Sequence, residues 1–259
     1  MKKLIILVSI ISALFALDVQ SFVKNLIGEQ KYQTYKNLIS QTINENNATI
    51  ESIIVSLKEN GLIDLFFDKP KIFETSFVFK DNNPELDTKI LNDSLKNLGY
   101  FYFYPSEIKT NGTYDITIEM NSGQFIDPLL FLREMKNHNC IILNIKKDEY
   151  YTYTIDCSDA DLNVTKLTDN VQNLTNTQGE YWVDTNGYSK VVIKTSKYDK
   201  WYPYVVFYDK NLNILNIITS KNIQRIVTAK IPDDCKYIKI RDNYSKENIK
   251  RGIFIKGIK

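Results

Sequence analysis

The chain has 259 residues, 43% hydrophobic, 25% charged and 12% aromatic, values of a globular protein that exclude a disordered tail and a multi-span membrane protein. Lys plus Arg (33) exceeds Asp plus Glu (31) by two, and Lys2 and Lys3 lie in a segment expected to be removed. The remaining net charge of about zero excludes a generally basic nucleic-acid binder, and a single His, His138, excludes a His-rich metal centre.

Met1-Lys2-Lys3 is followed by Leu4 to Leu17, apolar except for Ser9 and Ser12. A short positive region before a short apolar run predicts a secretory signal peptide over 1–16, cleaved near Ala16. A spanning helix needs about 20 such residues, and no second long apolar segment follows, so no stable membrane span is expected. The protein is predicted to be exported to the periplasm. There disulfides persist. Cys140 opens one predicted strand and Cys157 closes the next, across a turn at Lys147-Asp148-Glu149. Hairpin geometry sets the two positions almost opposite each other, which predicts a Cys140–Cys157 bridge. Cys235 is then the odd thiol, expected to be a buried, inert residue at a strand start.

Residues 17–65 read as a helical hairpin. Val19, Phe22, Val23, Leu26 and Ile27 make one apolar stripe, broken at Gly28 and extended by Tyr35, Leu38, Ile39 and Ile43. A second stripe, Ile50, Ile53, Ile54 and Leu57, follows a cap expected at Asn46 or Asn47 and stops at Asn60-Gly61.

Residues 66–157 carry an internal repeat. In each half a strand pattern leads into Asx-Pro, at Asn83-Pro84 and at Asp127-Pro128, and Pro suits the first position of a helix. Between the halves, Asn111-Gly112 marks a hairpin, and Tyr114, Ile116, Ile118 and Met120 alternate with polar residues. The order strand-helix-strand-strand-helix-strand, with an extra strand ending at Cys157, resembles the split βαβ arrangement of ferredoxin-like domains.

Residues 158–180, rich in Asp, Asn and Thr, are expected to form a polar linker. From 181 to 259 short strands recur near every ten residues, which predicts an antiparallel β-sandwich. The stretch from Ile231 to Ile240 resembles the late strand pair of jelly-roll carbohydrate-binding domains. The fold class expected is therefore α+β: a helical hairpin, a ferredoxin-like domain and a C-terminal jelly-roll-like sandwich.

Glu45-Asn46-Asn47-Ala48-Thr49 and Asp161-Leu162-Asn163-Val164-Thr165 both fit Asp/Glu-x-Asn-x-Ser/Thr. This resembles the extended acceptor sequon of the bacterial oligosaccharyltransferase, and with it exported envelope proteins of epsilonproteobacteria; the resemblance implies glycans at Asn47 and Asn163. Asp159 to Asn163 resembles the opening of a calcium loop, but Val164 and Asn170 stand where an EF-hand needs Gly and Glu. A His138–Cys140 nucleophile pair competes with the predicted bridge, and no other catalytic motif occurs, so no enzyme, metal or cofactor is expected.

The most aromatic strand, Trp201 to Tyr208, alternates Tyr202, Tyr204, Val206 and Tyr208 with Trp201, Pro203, Val205 and Phe207. With Trp182 these residues predict either a buried central strand or a ligand or partner surface formed by Trp182, Trp201, Tyr202, Tyr204 and Tyr208. The expected function is a non-enzymatic periplasmic interaction protein that meets envelope protein partners, as an accessory or scaffold part of an assembly such as a flagellar motor or secretion system. The alternative is a carbohydrate-binding protein that takes a glycan or peptidoglycan.

Overall fold

In a computed structural model the described residues are 18–259. The expected signal peptide and its cleavage position near Ala16 lie outside them. The described chain is a mixed α/β protein with five α-helices and three mostly antiparallel sheets. It divides into two compact units: one made of residues up to Lys80, Leu98–Lys136 and Cys140–Asp156, the other of Asp81–Asn97, Asn137–Asn139 and Cys157–Lys259.

The first unit begins with α1 (Val19–Ile27), α2 (Glu29–Thr42) and α3 (Ile50–Glu59). The Asp18 carboxylate caps α1 by accepting from the Ser21 N–H at 3.0 Å, and the stripe Val19, Phe22, Val23 and Leu26 is buried. Gly28, at φ +86°, separates α1 from α2, a backbone conformation that a side chain would strain. The cap of α3 is Thr49, not Asn46 or Asn47: Thr49 and Ser52 form a reciprocal capping box, while Glu45–Asn47 coil into a short 3-10 turn capped by Asn44. The α3 stop is the expected one. Gly61 N–H donates to Lys58 O and Leu62 N–H to Leu57 O, the paired bonds of a Schellman end.

The first sheet has the order β2-β3-β1-β5-β4, where β1 is Phe66–Phe79, β2 Phe103–Thr110, β3 Tyr114–Gln124, β4 Ile141–Lys147 and β5 Tyr151–Asp156. Tyr114, Ile116, Ile118 and Met120 are buried, as their alternation requires, and pair with β1 in antiparallel register. β5 lies parallel to β1, and β4 is antiparallel to β5 at the edge. Tyr151, Tyr153 and Ile155 are all buried, so β5 carries the more apolar face and takes the interior place. Ile141 pairs with Asp156, and the flanking Cys140 and Cys157 form the expected disulfide.

Two elements depart from the expected boundaries. α4 (Pro84–Asn97) belongs to the second unit instead of sharing a domain with residues 66–157. It buries Leu86, Ile90, Leu91 and Leu95, and Asn83 beside it donates to Asn211 at 3.2 Å. The polar segment 158–180 forms β6 (Thr165–Lys166) and β7 (Gln172–Leu174), edge strands of two different sheets. Leu162 and Leu167 are buried and anchor it, and short polar edge strands leave little periodicity to read.

The second unit continues with β8 (Glu180–Asp184), β9 (Lys190–Thr195), β10 (Pro203–Tyr208), β11 (Ile214–Thr219), β12 (Ile226–Lys230), β13 (Tyr237–Asp242) and β14 (Ile253–Ile258). They form sheets of order β11-β10-β13-β8-β6 and β12-β9-β14-β7. A single buried cluster draws Val183, Phe207 and Ile240 from one sheet and Ile193, Val227 and Ile255 from the other. At the start of β14, Gly252 holds φ +108° with Leu174 O only 2.7 Å from where a Cβ would sit, so glycine is required there.

Candidate functional site

The alternation along β10 separates its side chains as expected. Val205 and Phe207 enter the core, while Tyr202, Tyr204 and Tyr208 remain half-buried on the other face. Trp201 corrects the expected surface: it is fully buried, and its Nε1 donates to Arg241 O at 3.0 Å. It is a core residue, because a polar tip that finds a backbone acceptor lets the large ring be buried at no cost in unpaired groups.

Trp182, Tyr204 and Tyr208 form an ordered aromatic and cationic ladder. Trp182 stacks on Tyr208 with ring centroids 5.3 Å apart, and the ammonium groups of Lys89 and Lys239 lie 5.0 and 5.1 Å from the indole centroid. One strand position along, the Arg241 guanidinium lies 4.2 Å from the Tyr204 ring. Glu180 offsets Lys239 in this cluster, accepting from Trp182 Nε1 at 2.8 Å and pairing with Lys239 at 3.0 Å. Burial works against the Glu180 charge, yet the Trp182 hydrogen bond and the lysines hold its carboxyl below the usual range. Lys89 is further paired with Asp93. The ladder uses its aromatic faces internally, which leaves little open ring for a sugar.

At the end of β10, Tyr202 meets Tyr244 edge-on at 4.8 Å, and Tyr244 is 62% exposed. Asp242 organises this end, accepting from the backbone N–H groups of Tyr202, Tyr244 and Ser245.

His138 is buried, with Nδ1 3.0 Å from Asp161 O, and the Cys140 sulfur is in the disulfide, so the two do not form a nucleophile pair in this oxidised state. Cys235 is a half-buried free thiol whose pKa burial pushes up to about 11, an inert state at physiological pH. Asn47 and Asn163 are both exposed. Asn163 sits at φ +52° with its N–H on Asp161 Oδ1, a tight turn. Among the described residues no group of three or more His, Cys, Asp or Glu is placed to hold a metal ion.

Two features lie outside the sequence-based expectation. In the second unit Asp87 of α4 is fully buried; among the described residues its Oδ1 has no partner, while the Asn83 N–H donates to Oδ2 at 3.2 Å. Burial, reinforced by the nearby Asp81, pushes its carboxyl up to about 8. In the first unit an apolar surface is open: Phe66 is 79% exposed, Phe101 64% and Tyr102 91%. These three line a cleft together with Tyr100, Met120 and Gln124. β2 beside it is exposed along nearly its whole length. The phenylalanine and tyrosine content of 66–104 signals aromatic strands, but only the sheet order shows which rings stay uncovered.

No protein-family model and no curated protein matches this chain. Among solved structures, the secreted serine protease VesC from Vibrio cholerae aligns with 59% of this chain at 8% identity and a TM-score of 0.20. This chain spans 38% of that protein's length, and a likeness at that score carries neither fold nor activity across. Among the described residues no helix is long and apolar enough to cross a membrane.

Proposed function

We propose that this chain is a non-enzymatic periplasmic interaction protein, an accessory or scaffold part of an envelope assembly such as a flagellar motor or secretion system. The observation that carries the reading is the uncovered aromatic surface of Phe66, Phe101 and Tyr102. Large rings grouped on a surface lose water when a partner covers them, and aromatic side chains dominate protein interfaces. The neighbouring strand β2 is poorly suited to adding a partner strand. It carries Pro105, a register shift between Pro105 and Glu107, and Lys109, all features that blunt edge pairing. Contact therefore runs through side chains, and the partner is an envelope protein that offers an apolar surface.

The same reading takes the first sheet as a ferredoxin-like arrangement widened by one strand, with β5 beside β1 where the fourth strand would stand. It takes the two sheets of the second unit as a jelly-roll-like sandwich, and Asn47 and Asn163 as glycan acceptors on an exported protein. Crosslinking in intact envelopes tests the interaction. The wild-type chain should yield a discrete crosslinked partner that a Phe101→Ser/Tyr102→Ser variant loses while keeping its fold. Loss of no partner in that variant would overturn the reading.

A second reading, glycan binding by the second unit, draws on the exposed Tyr244 ring set against Tyr202. Titration with peptidoglycan fragments separates the two: binding abolished by Tyr244→Ala in a folded protein would favour it.

A further inference from the structure

We propose that Lys31, Lys71 and Lys147 form a binding site in the first unit for a phosphate monoester group. The site is built around Phe125. The Lys71 ammonium lies 4.3 Å from the Phe67 ring centroid and 5.9 Å from that of Phe125. The Lys147 ammonium lies 5.2 Å from the Phe125 centroid and 5.3 Å from that of Tyr151. Two ammonium groups thus share one ring. Lys147 reaches only a backbone oxygen, Asp64 O at 3.4 Å, and among the described residues neither it nor Lys71 has a carboxylate partner. Lys31 pairs with the Asp64 carboxylate at 2.7 Å. Three ammonium groups against one carboxylate leave a local charge of +2.

The strain of this arrangement shows on Lys147. Burial lowers its pKa, Asp64 pulls it back up, and the like charges of Lys31 and Lys71 lower it further. Asp127 faces the same region but is taken up by Lys58.

A second observation points the same way. Tyr151 is 1% exposed, packs edge-on against Phe125 at 5.2 Å, and among the described residues its hydroxyl has no hydrogen-bond partner. A buried hydroxyl without a partner costs free energy, and an oxyanion between Lys71 and Lys147 would give it an acceptor. Lysines act as point charges on phosphate, and a phosphate monoester carries about −1.5 to −2 at neutral pH, which matches the local excess. A single carboxylate would leave part of it uncompensated. Lys71 and Asp64 are exposed, so solvent reaches the site.

The test titrates the purified protein with inorganic phosphate at constant ionic strength, set with chloride, and follows the melting temperature. Phosphate should raise it saturably, and acetate should do so far less. Lys71→Gln and Lys147→Gln should each weaken the apparent affinity by about tenfold, the loss of one charged contact, and Lys71→Arg should restore part of it. Lys71 is exposed, so Lys71→Gln should retain the wild-type circular dichroism. A second arm sediments the protein with phosphatidylcholine vesicles with and without phosphatidic acid. Co-sedimentation that needs both phosphatidic acid and Lys71 assigns the phosphate to a lipid headgroup; phosphate binding without co-sedimentation assigns it to a soluble molecule. No saturable response, an equal response to acetate, or a response undiminished in both glutamine variants would overturn the proposal.

Discussion

Two regions of this protein use the same contact, a lysine ammonium over an aromatic ring, and end in opposite electrostatic states. Around Trp182 the cations Lys89 and Lys239 are balanced by Asp93 and Glu180, and Glu180 also accepts from the indole N–H. Around Phe125 the one nearby carboxylate, Asp64, is paired with Lys31, and among the described residues Lys71 and Lys147 have no ion pair and the hydroxyl of Tyr151 no hydrogen-bond partner. The cation–π contact is similar in both places, so it does not decide the difference. Charge balance does. A neutralised cluster is finished as a piece of structure, whereas one with excess charge and an orphan hydroxyl has binding capacity left over.

A large effect that sharpens this comparison, present at every pH, comes from the disulfide. Lys147 faces Tyr151 because the β4–β5 hairpin sets them in register, and the far end of that hairpin is closed by Cys140–Cys157. Replacing both cysteines by Ala should lower stability by about 2–4 kcal/mol, since the bridge constrains the unfolded chain. Urea denaturation measures the loss, and peptide mapping without reductant should find Cys235 free. An unchanged unfolding midpoint would mean that the hairpin needs no crosslink.

Asp87 asks whether an unbalanced buried charge is always costly. Its folded pKa of about 8 lies above the ordinary carboxyl value of 3.8, so the folded state holds this proton more tightly than the unfolded chain does. The contribution is then full below about pH 4, and stability should fall as pH rises from there to about 8, at no more than about 1.4 kcal/mol per pH unit. Asp87→Asn should flatten that slope in denaturation curves recorded across the window. A slope identical in the variant would show that the carboxyl finds a partner in solution.

The smallest effect breaks the comparison directly. Glu180→Gln removes the carboxylate from the balanced ladder while keeping a hydrogen-bond acceptor for Trp182. Because the carboxylate is partly exposed, solvent screening limits the cost to about 0.5–1 kcal/mol. The variant should show a larger phosphate-dependent rise in melting temperature than the wild-type protein, and the excess should persist when Lys71→Gln is combined with it. If charge balance is not what separates the two regions, no such gain will be seen.

Local signals in the sequence determined much of the architecture. Asx-Pro placed the starts of α4 and of α5 (Pro128–Asn137), Gly28 and Asn60-Gly61 placed helix breaks, and period-two alternation placed β3 with Tyr114, Ile116, Ile118 and Met120 inward. The Cys140–Cys157 bridge was legible because hairpin register is set by the turn and the alternation together. The cap of α3 was misplaced by two or three residues, since Asn44 to Thr49 offers several competing caps and only the backbone path selects Thr49.

What the tertiary structure alone decided concerns partners distant in sequence. Trp201, just before β10, and Trp182, on β8, carry the same side chain, yet one is core and the other belongs to a surface ladder, because tertiary packing and not composition chooses which face is covered. Segment 158–180 became two edge strands because neighbours far along the chain supplied the hydrogen bonds its own pattern does not advertise. Lys31, Lys71 and Lys147 stand on α2, β1 and β4 and share no motif. Electrostatic interaction depends on distance in space, which the sequence does not carry until the strands are paired.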